Sequence, residues 1–198
     1  SGLCEFLAKD MDEEVRYILA AGIHQSATLL VPRGNYDRLF GAVCALLEDD
    51  NPHVRMNALE NFHELLSAFV RDGSDPASIR RLAPVFMNLS ALSEGNWRIQ
   101  KRLAEQLDKC AEIIPADALI ENVLPLLFRL TEQGPPLVRH ASMHATARAL
   151  RNIPSIPDRN LAISQFWEKA REGPFWMRLA LLAGGAAALP IFSGSPFA

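Results

Sequence analysis

The sequence lacks an excess of positive charge, an even set of cysteines and a long apolar run. With 20 Lys and Arg against 23 Asp and Glu, the net charge is −3, which argues against a nucleic-acid binder, because such proteins rely on a basic surface. The cysteines, Cys4, Cys44 and Cys110, are three in number and lie in apolar stretches, which indicates reduced core thiols in the cytoplasm. No apolar run reaches the roughly 18 residues that span a bilayer, so no integral membrane contact is expected.

The sequence also lacks strand patterns. No stretch alternates apolar and polar residues over the length of a strand with turn residues on both sides. The composition is otherwise that of an ordinary folded chain, since 49% of the 198 residues are hydrophobic and 22% are charged. These features predict an all-α protein with almost no sheet.

A helix-opening signal recurs along the chain. It consists of a capping residue or a proline, then an apolar residue that is followed by Arg or Gln, and it occurs at 12–16, 51–55, 96–100, 135–139 and 174–178. The apolar members, Val15, Val54, Ile99, Val138 and Met177, are separated by 39, 45, 39 and 39 residues. Such a constant period is the signature of a repeat architecture.

Each signal opens the second helix of a pair, and breaker-rich joints at 31–35, 72–76 and 153–157 separate successive pairs. We therefore expect a right-handed α–α superhelix of about five antiparallel helix pairs that share one core. The units of this single array are approximately 1–31, 35–72, 76–113, 115–152 and 156–193. Because the array has no polar cap at either end, we also expect further repeats to flank it.

The repeated arginines have a structural interpretation. Arg16, Arg55, Arg139 and Arg178 follow the apolar anchor, and Gln100 replaces them in the third unit. Their stems are expected to pack along the helix, while each guanidinium reaches a carboxylate or carbonyl of the adjacent unit and builds a polar ladder.

The aromatic residues at the turns have two interpretations. Trp97, Phe175 and Trp176 lie where the second helix of a pair begins. They can staple the turn to the preceding helix. Alternatively, they anchor a partner protein together with Arg98, because Trp and Arg dominate binding hot spots.

The 96–100 and 50–55 stretches and the 39-residue period resemble the HEAT repeats of the protein phosphatase 2A scaffolding subunit and the related phosphatase 4 regulatory subunit. This resemblance implies a non-catalytic scaffold or regulatory subunit whose intra-repeat turns hold a serine/threonine phosphatase catalytic subunit. Carried onto this chain, the partner-binding residues are Asp50, His53, Trp97, Arg98, Phe175 and Trp176. Gln100, Pro135–Pro136 and Pro174–Phe175 depart from the family pattern at the turns.

An alternative function is that of a HEAT-repeat adaptor in intracellular transport or vesicle trafficking, because other HEAT proteins share the same period. An enzyme is the weakest alternative, because no convergent acid, base or nucleophile is present. His140 and His144 have a ligand-like spacing but lack a third ligand at a diagnostic distance. We therefore expect no catalytic residues, no metal and no cofactor. We interpret the 48–50 acidic stretch as a solvated turn or, alternatively, as part of the binding ridge, where it pairs with a basic partner.

Overall fold

The computed structural model describes residues 2–31, 36–71 and 80–173. Within these ranges the chain is helical and contains no strand, which confirms the all-α fold class. The chain forms two compact units, Ser1–Gln106 and Leu107–Ala198. The boundary between them falls inside one helix, and the expected single array stays a prediction.

The first unit is built from antiparallel helix pairs. The helices are α1 Gly2–Leu7, α2 Glu13–Leu30, α3 Tyr36–Leu47, α4 Pro52–Glu60, α5 Phe62–Arg71, α6 Leu82–Leu92 and α7 Trp97–Cys110. α1 contacts α2, and α3 contacts α4 and, through the rings of Phe40 and Phe69, α5. Successive pairs pack like on like, because α1 contacts α3 while α2 contacts α4 and α5. The buried rings of Phe62 and Phe86 meet edge to face, with centroids 5.2 Å apart.

The second unit contains one complete pair and one further helix within the described residues. The bounds are α8 Ala116–Ala118, a π-helical segment Leu119–Val123, α9 Leu124–Gln133, α10 Pro136–Arg151 and α11 Ile156–Glu172. α9 and α10 pack against each other across the short turn at Gly134 and Pro135. The expected second helix of the fifth pair lies outside the described residues.

Four of the five predicted helix starts are confirmed. Each is explained by residues at the start itself, either a capping side chain or a proline. Asp12 and Asn51 cap α2 and α4 by accepting hydrogen bonds from the amides of Glu14 and His53, at 2.9 and 2.8 Å. α7 begins directly after Asn96, and α10 begins at Pro136, where a missing N–H costs no helical bond. The fifth start, at 174–178, lies outside the described residues.

The second helix of the second pair is broken at Asn61, which the sequence did not predict. Asn61 has φ −118° and ψ 31°, so the chain leaves α4 and starts again as α5. The fully buried Gln106 of α7 compensates for the lost helical bonds. Its Nε2 donates to the carbonyl of Glu60 at 2.7 Å, and its Oε1 accepts from the amide of His63 at 3.1 Å. A side chain from the next pair thus holds this break in place.

The first helix of the fourth pair contains a π-helical turn, which was also not predicted. Here the amide of Leu124 donates to the carbonyl of Leu119, five residues back. Pro125 follows directly and has no N–H, so a regular α-helical ladder would be interrupted at this point in any case. The extra residue per turn accommodates that gap.

Candidate interaction surface on the intra-repeat turns

Three intra-repeat turns of the first unit lie side by side. We call residues 8–14, 48–53 and 93–98 the turn surface, since they comprise each turn and the start of the helix that follows it. Hydrogen bonds join successive turns directly. Asn51 donates through Nδ2 to Glu13 Oε2 at 2.7 Å, and the ladder arginines provide the other links.

Arg16 joins the first turn to the second. Its Nε and Nη2 donate to the two carboxylate oxygens of Asp49 at 2.6 and 3.1 Å, and its Nη1 donates to the carbonyl of Asp10 at 2.7 Å. The two side chains are only 16% and 5% exposed. A bidentate pair of this kind fixes orientation as well as distance. The predicted ladder is therefore confirmed at this junction.

Asp49 corrects the expectation that the 48–50 stretch is simply a solvated turn. Its residue is buried, whereas the neighbouring Asp50 is exposed. Burial works to raise the pKa of Asp49, but the hydrogen bonds from Arg16 and from the amide of Asn51, with the charges of Arg16 and Arg55, outweigh it and hold the pKa below its ordinary value. The hydrogen bond to Asp49 raises the pKa of Arg16. Both groups are therefore charged at neutral pH.

Arg55 joins the second turn to the third. This buried guanidinium donates through Nη1 to the carbonyls of Asp49 and Asp50 at 2.5 and 3.0 Å. Its Nη2 donates to the carbonyl of Leu92, at the end of α6, at 3.2 Å. Across the second junction the acceptor is thus the carbonyl of Leu92, whereas across the first it is a carboxylate, and the ladder is confirmed here too.

The residues that the resemblance pointed to lie on the outside of this ladder. Asp50 and His53 are exposed on the second turn. On the third, the Arg98 guanidinium carbon lies 4.8 Å from the centre of the half-buried Trp97 ring, and Arg98 itself is exposed. A stacked cation keeps an indole in place while leaving it accessible to a partner. Phe175 and Trp176 lie outside the described residues, as does Arg178.

In the second unit, Arg139 is the arginine that follows the apolar anchor. Arg139 donates through Nε to the carbonyl of Gly134 in its own turn at 2.6 Å. Gly134 is needed there because a Cβ would lie 2.5 Å from the Leu130 carbonyl oxygen and 2.7 Å from a methyl carbon of Val138. Pro135 occupies the N-cap position of α10 and makes no side-chain cap, because a proline side chain has no hydrogen-bonding atom.

The second unit also contains an open groove of about 300 Å³, which the sequence did not reveal. It is lined by Ile120 of the π-helical segment, by residues of α9 and by Ala162, Gln165 and Glu168 of α11. Its apolar walls include Leu124 and Phe128, both part of the core. Pro125, which follows the π-helical turn, also lines the groove.

The histidine and cysteine side chains considered for chemistry have no feature of a reactive site in the part of the chain that the structure describes. His144 Nδ1 is 3.3 Å from Asp108 Oδ1 and exposed, and its i−4 neighbour His140 is exposed too. Burial raises the pKa of the Cys44 thiol to about 11 and that of Cys110 to about 12, so neither is an activated thiolate. Across 2–31, 36–71 and 80–173, no three His, Cys, Asp or Glu residues are grouped to hold a metal. None of the helices in that part of the chain is long and apolar enough to cross a bilayer.

The comparisons with known proteins identify the repeat class of this chain and no more specific family. The HEAT repeat family matches residues 39–69, which comprise most of α3, the second turn, all of α4 and most of α5. No curated protein matches the chain significantly. The crystal structure of an engineered protein aligns with 98% of this chain and 89% of its own, with a TM-score of 0.49 and 16% identity. The HEAT match indicates a helical-repeat protein with a role in protein interaction; it identifies neither an enzyme family nor a phosphatase subunit.

Proposed function

We propose that this chain is a non-catalytic scaffold or regulatory subunit that binds its client through the turn surface. The observation that supports this most is the ladder of Arg16, Asp49 and Arg55, which aligns three turns with their outer residues exposed. A surface that is rigid before binding loses little conformational entropy on association. Positioning of a client, without bond chemistry, is the function that such a surface serves.

The outer residues give this surface two chemical characters. The first two turns expose carboxylates, among them Asp12, Glu13 and Asp50, and the third exposes Glu94 together with Arg98, which stacks on the half-buried Trp97. A client that fits has a basic segment opposite the first two turns and a pocket for the indole at the third. The HEAT match covers the central turn of the three.

The client that we propose is the catalytic subunit of a serine/threonine protein phosphatase, in the cytoplasm. The resemblance of residues 50–55 and 96–100 to phosphatase-associated HEAT repeats motivates this choice. The outward position of Asp50, His53 and Arg98 and the half-buried position of Trp97 are compatible with it. Phe175 and Trp176 belong to the same proposal.

Affinity capture of the full-length protein from cytosol tests the client. We expect a serine/threonine phosphatase catalytic subunit among the captured proteins, and direct binding when the purified subunit is added. Recovery of a small GTPase or a coat component, with no phosphatase, would instead assign the chain to transport and exclude the phosphatase proposal.

Substitution on the third turn tests the surface independently of the client's identity. Trp97→Ala with Arg98→Ala is expected to weaken binding of the recovered client by about tenfold or more, since it removes the stacked anchor. Trp167→Ala is the matched control, because Trp167 is an exposed tryptophan on α11 and lies off the turn surface. Equal loss of binding in both variants, or in neither, would remove the third turn from the interface.

A further inference from the structure

The open groove of the second unit combines an apolar floor with a polar rim. Its floor includes the buried side chains of Leu124, Phe128 and Ala162. Gln165 and Glu168 of α11 also line the groove, and both are exposed. Its volume of about 300 Å³ is at the lower end for sites that enclose a small molecule. Since the groove is open, it suits a chain that lies along it better than a ligand that it would have to enclose.

The π-helical turn leaves a main-chain acceptor at this groove without a helical donor. The carbonyl of Ile120 would accept from the amide of residue 124 in an α-helix, and from that of residue 125 in a π-helix. Here the amide of Leu124 donates to Leu119 instead, and Pro125 has no N–H. Ile120, Leu124 and Pro125 all line the groove. The groove wall thus contains a carbonyl group that its own helix does not satisfy.

The charged groups at the groove are carboxylates. Glu168 lines it on α11, and Glu121, the neighbour of Ile120 on the π-helical segment, is exposed. Within 2–31, 36–71 and 80–173, none of the residues that line the groove is a cation. A ligand that complements the groove therefore brings a main-chain N–H, a positive charge and a large apolar side chain. An extended peptide provides all three, and main-chain hydrogen bonds are a common source of affinity for such peptides.

We propose that this groove binds an extended peptide segment of a partner protein, which carries a large apolar side chain and an Arg or Lys within a few residues of it. The apolar side chain packs on Leu124 and Phe128. A peptide N–H donates to the carbonyl of Ile120, and the basic side chain pairs with Glu168. Because the groove belongs to the second unit and the turn surface to the first, this site is tested separately from the proposed client contact.

Titration of the full chain with three blocked peptides tests the class of ligand. The first peptide is Ser-Leu-Leu-Ser-Arg-Ser, the second has Glu in place of Arg, and the third has Ser in place of both Leu. We expect the first to bind at least about tenfold more tightly than either of the others. It should also shift the amide NMR signals of 119–128 and 161–168. Equal affinity for the first two peptides, no binding of any peptide, or shifts confined to other residues would overturn the proposal.

N-methylated peptides test the main-chain contact. Methylation of the nitrogen of one or the other Leu in the first peptide removes one N–H donor, and we expect one of the two forms to bind about fivefold more weakly. In Pro125→Ala the new amide competes for the carbonyl of Ile120, so the same methylation should then have a smaller effect. Unchanged affinity of both methylated forms for the original chain would exclude the contact with Ile120.

Substitutions in α11 test the two other contacts. Glu168→Arg is expected to reverse the preference between the Arg and Glu peptides. Gln165→Trp should weaken the first peptide by about tenfold because the indole fills the groove, whereas Ser164→Trp should not, since Ser164 is exposed on the same helix and does not line the groove. An unchanged preference in Glu168→Arg, or equal binding by the two tryptophan variants, would contradict the proposal. The peptide series uses the unchanged chain and remains decisive if a variant does not fold.

Discussion

The second and third turns of the first unit occupy the same place in their repeats but are held by different chemistry. At the second turn, the buried carboxylate of Asp49 receives two hydrogen bonds from Arg16, and Asn51 caps the following helix at 2.8 Å. At the third turn, Arg55 reaches only the carbonyl of Leu92 across the junction, and Asn96 accepts from the amide of Ile99 at 3.4 Å. The second turn is thus fixed by charge, while the third depends on backbone geometry.

This difference between the two turns indicates which side chains hold the protein together and which are left exposed for a partner. The side chain at the second turn that looked available for a partner, Asp49, is occupied within the protein, whereas Asp50 beside it is exposed. At the third turn, the more loosely held of the two, the aromatic residue and its cation are accessible together. We infer that the second turn chiefly orders the surface and that the third contributes its strongest contact.

The largest effect is expected when the charged junction is cut. Asp49→Ala leaves the half-buried Arg16 without its carboxylate and removes the acceptor of the Asn51 amide, so we expect a loss of about 2–4 kcal/mol in the free energy of unfolding. Asp50→Ala is the matched control and is expected to change stability by less than about 0.5 kcal/mol, since Asp50 is exposed. Urea unfolding of the two variants measures this; equal losses would mean that the pair does not stabilise the turn.

Backbone geometry at the third turn predicts an effect of intermediate size. Gly95 has φ +81°, where a side chain is strained, so Gly95→Ala should cost about 1–2 kcal/mol although no atom lies within 4 Å of the new Cβ. Gly22→Ala, in the middle of α2 with equally open surroundings, should instead stabilise the protein by about 0.5–1 kcal/mol. Thermal unfolding of the two variants should show stability changes of opposite sign. Because neither new Cβ meets a neighbouring atom, that result would assign the loss at Gly95 to backbone strain and not to a steric clash.

The helix caps give a smaller contrast between the turns. Asn51→Ala loses a short cap and the bond to Glu13, and we expect it to cost about 1 kcal/mol. Asn96→Ala, with a cap bond of 3.4 Å, should cost less than half of that. Chemical denaturation measures the loss in the free energy of unfolding for each variant. Equal losses would show that the difference in cap geometry does not affect stability.

The pH dependence of stability tests the charge of Asp49 with the least perturbation. Because its folded-state pKa lies below the ordinary value of about 3.9, the pair stabilises the protein above that pH, and the contribution is lost as the pH falls through the folded-state pKa. The stability difference between the wild type and Asp49→Asn should therefore be constant from pH 5 to 7 and shrink below about pH 4. A difference that stays constant down to pH 2 would contradict a charged pair.

The sequence predicted those features that depend on neighbouring residues. The caps at Asp12 and Asn51, the start of α10 at Pro136 and the reach of Arg16 and Arg55 to the next unit follow from residue type and period. It did not predict the break at Asn61, since that conformation is stabilised by Gln106, 45 residues later, whose role is set by packing. Nor did it identify Asp49 as the acceptor of Arg16. The signal that it offered was a repeated spacing, because Asp49 lies two residues before the capping Asn51, as Asp10 lies two residues before the capping Asp12.

Hydrogen exchange of the chain with its recovered client tests the central claim, that the turns of the first unit form the binding surface. We expect the client to slow exchange of the amides at 48–53 and 94–98, while amides on the outer face of α2 exchange at the same rate as in the free chain. Protection that spares both turns and appears elsewhere would contradict the account, whichever protein the client proves to be.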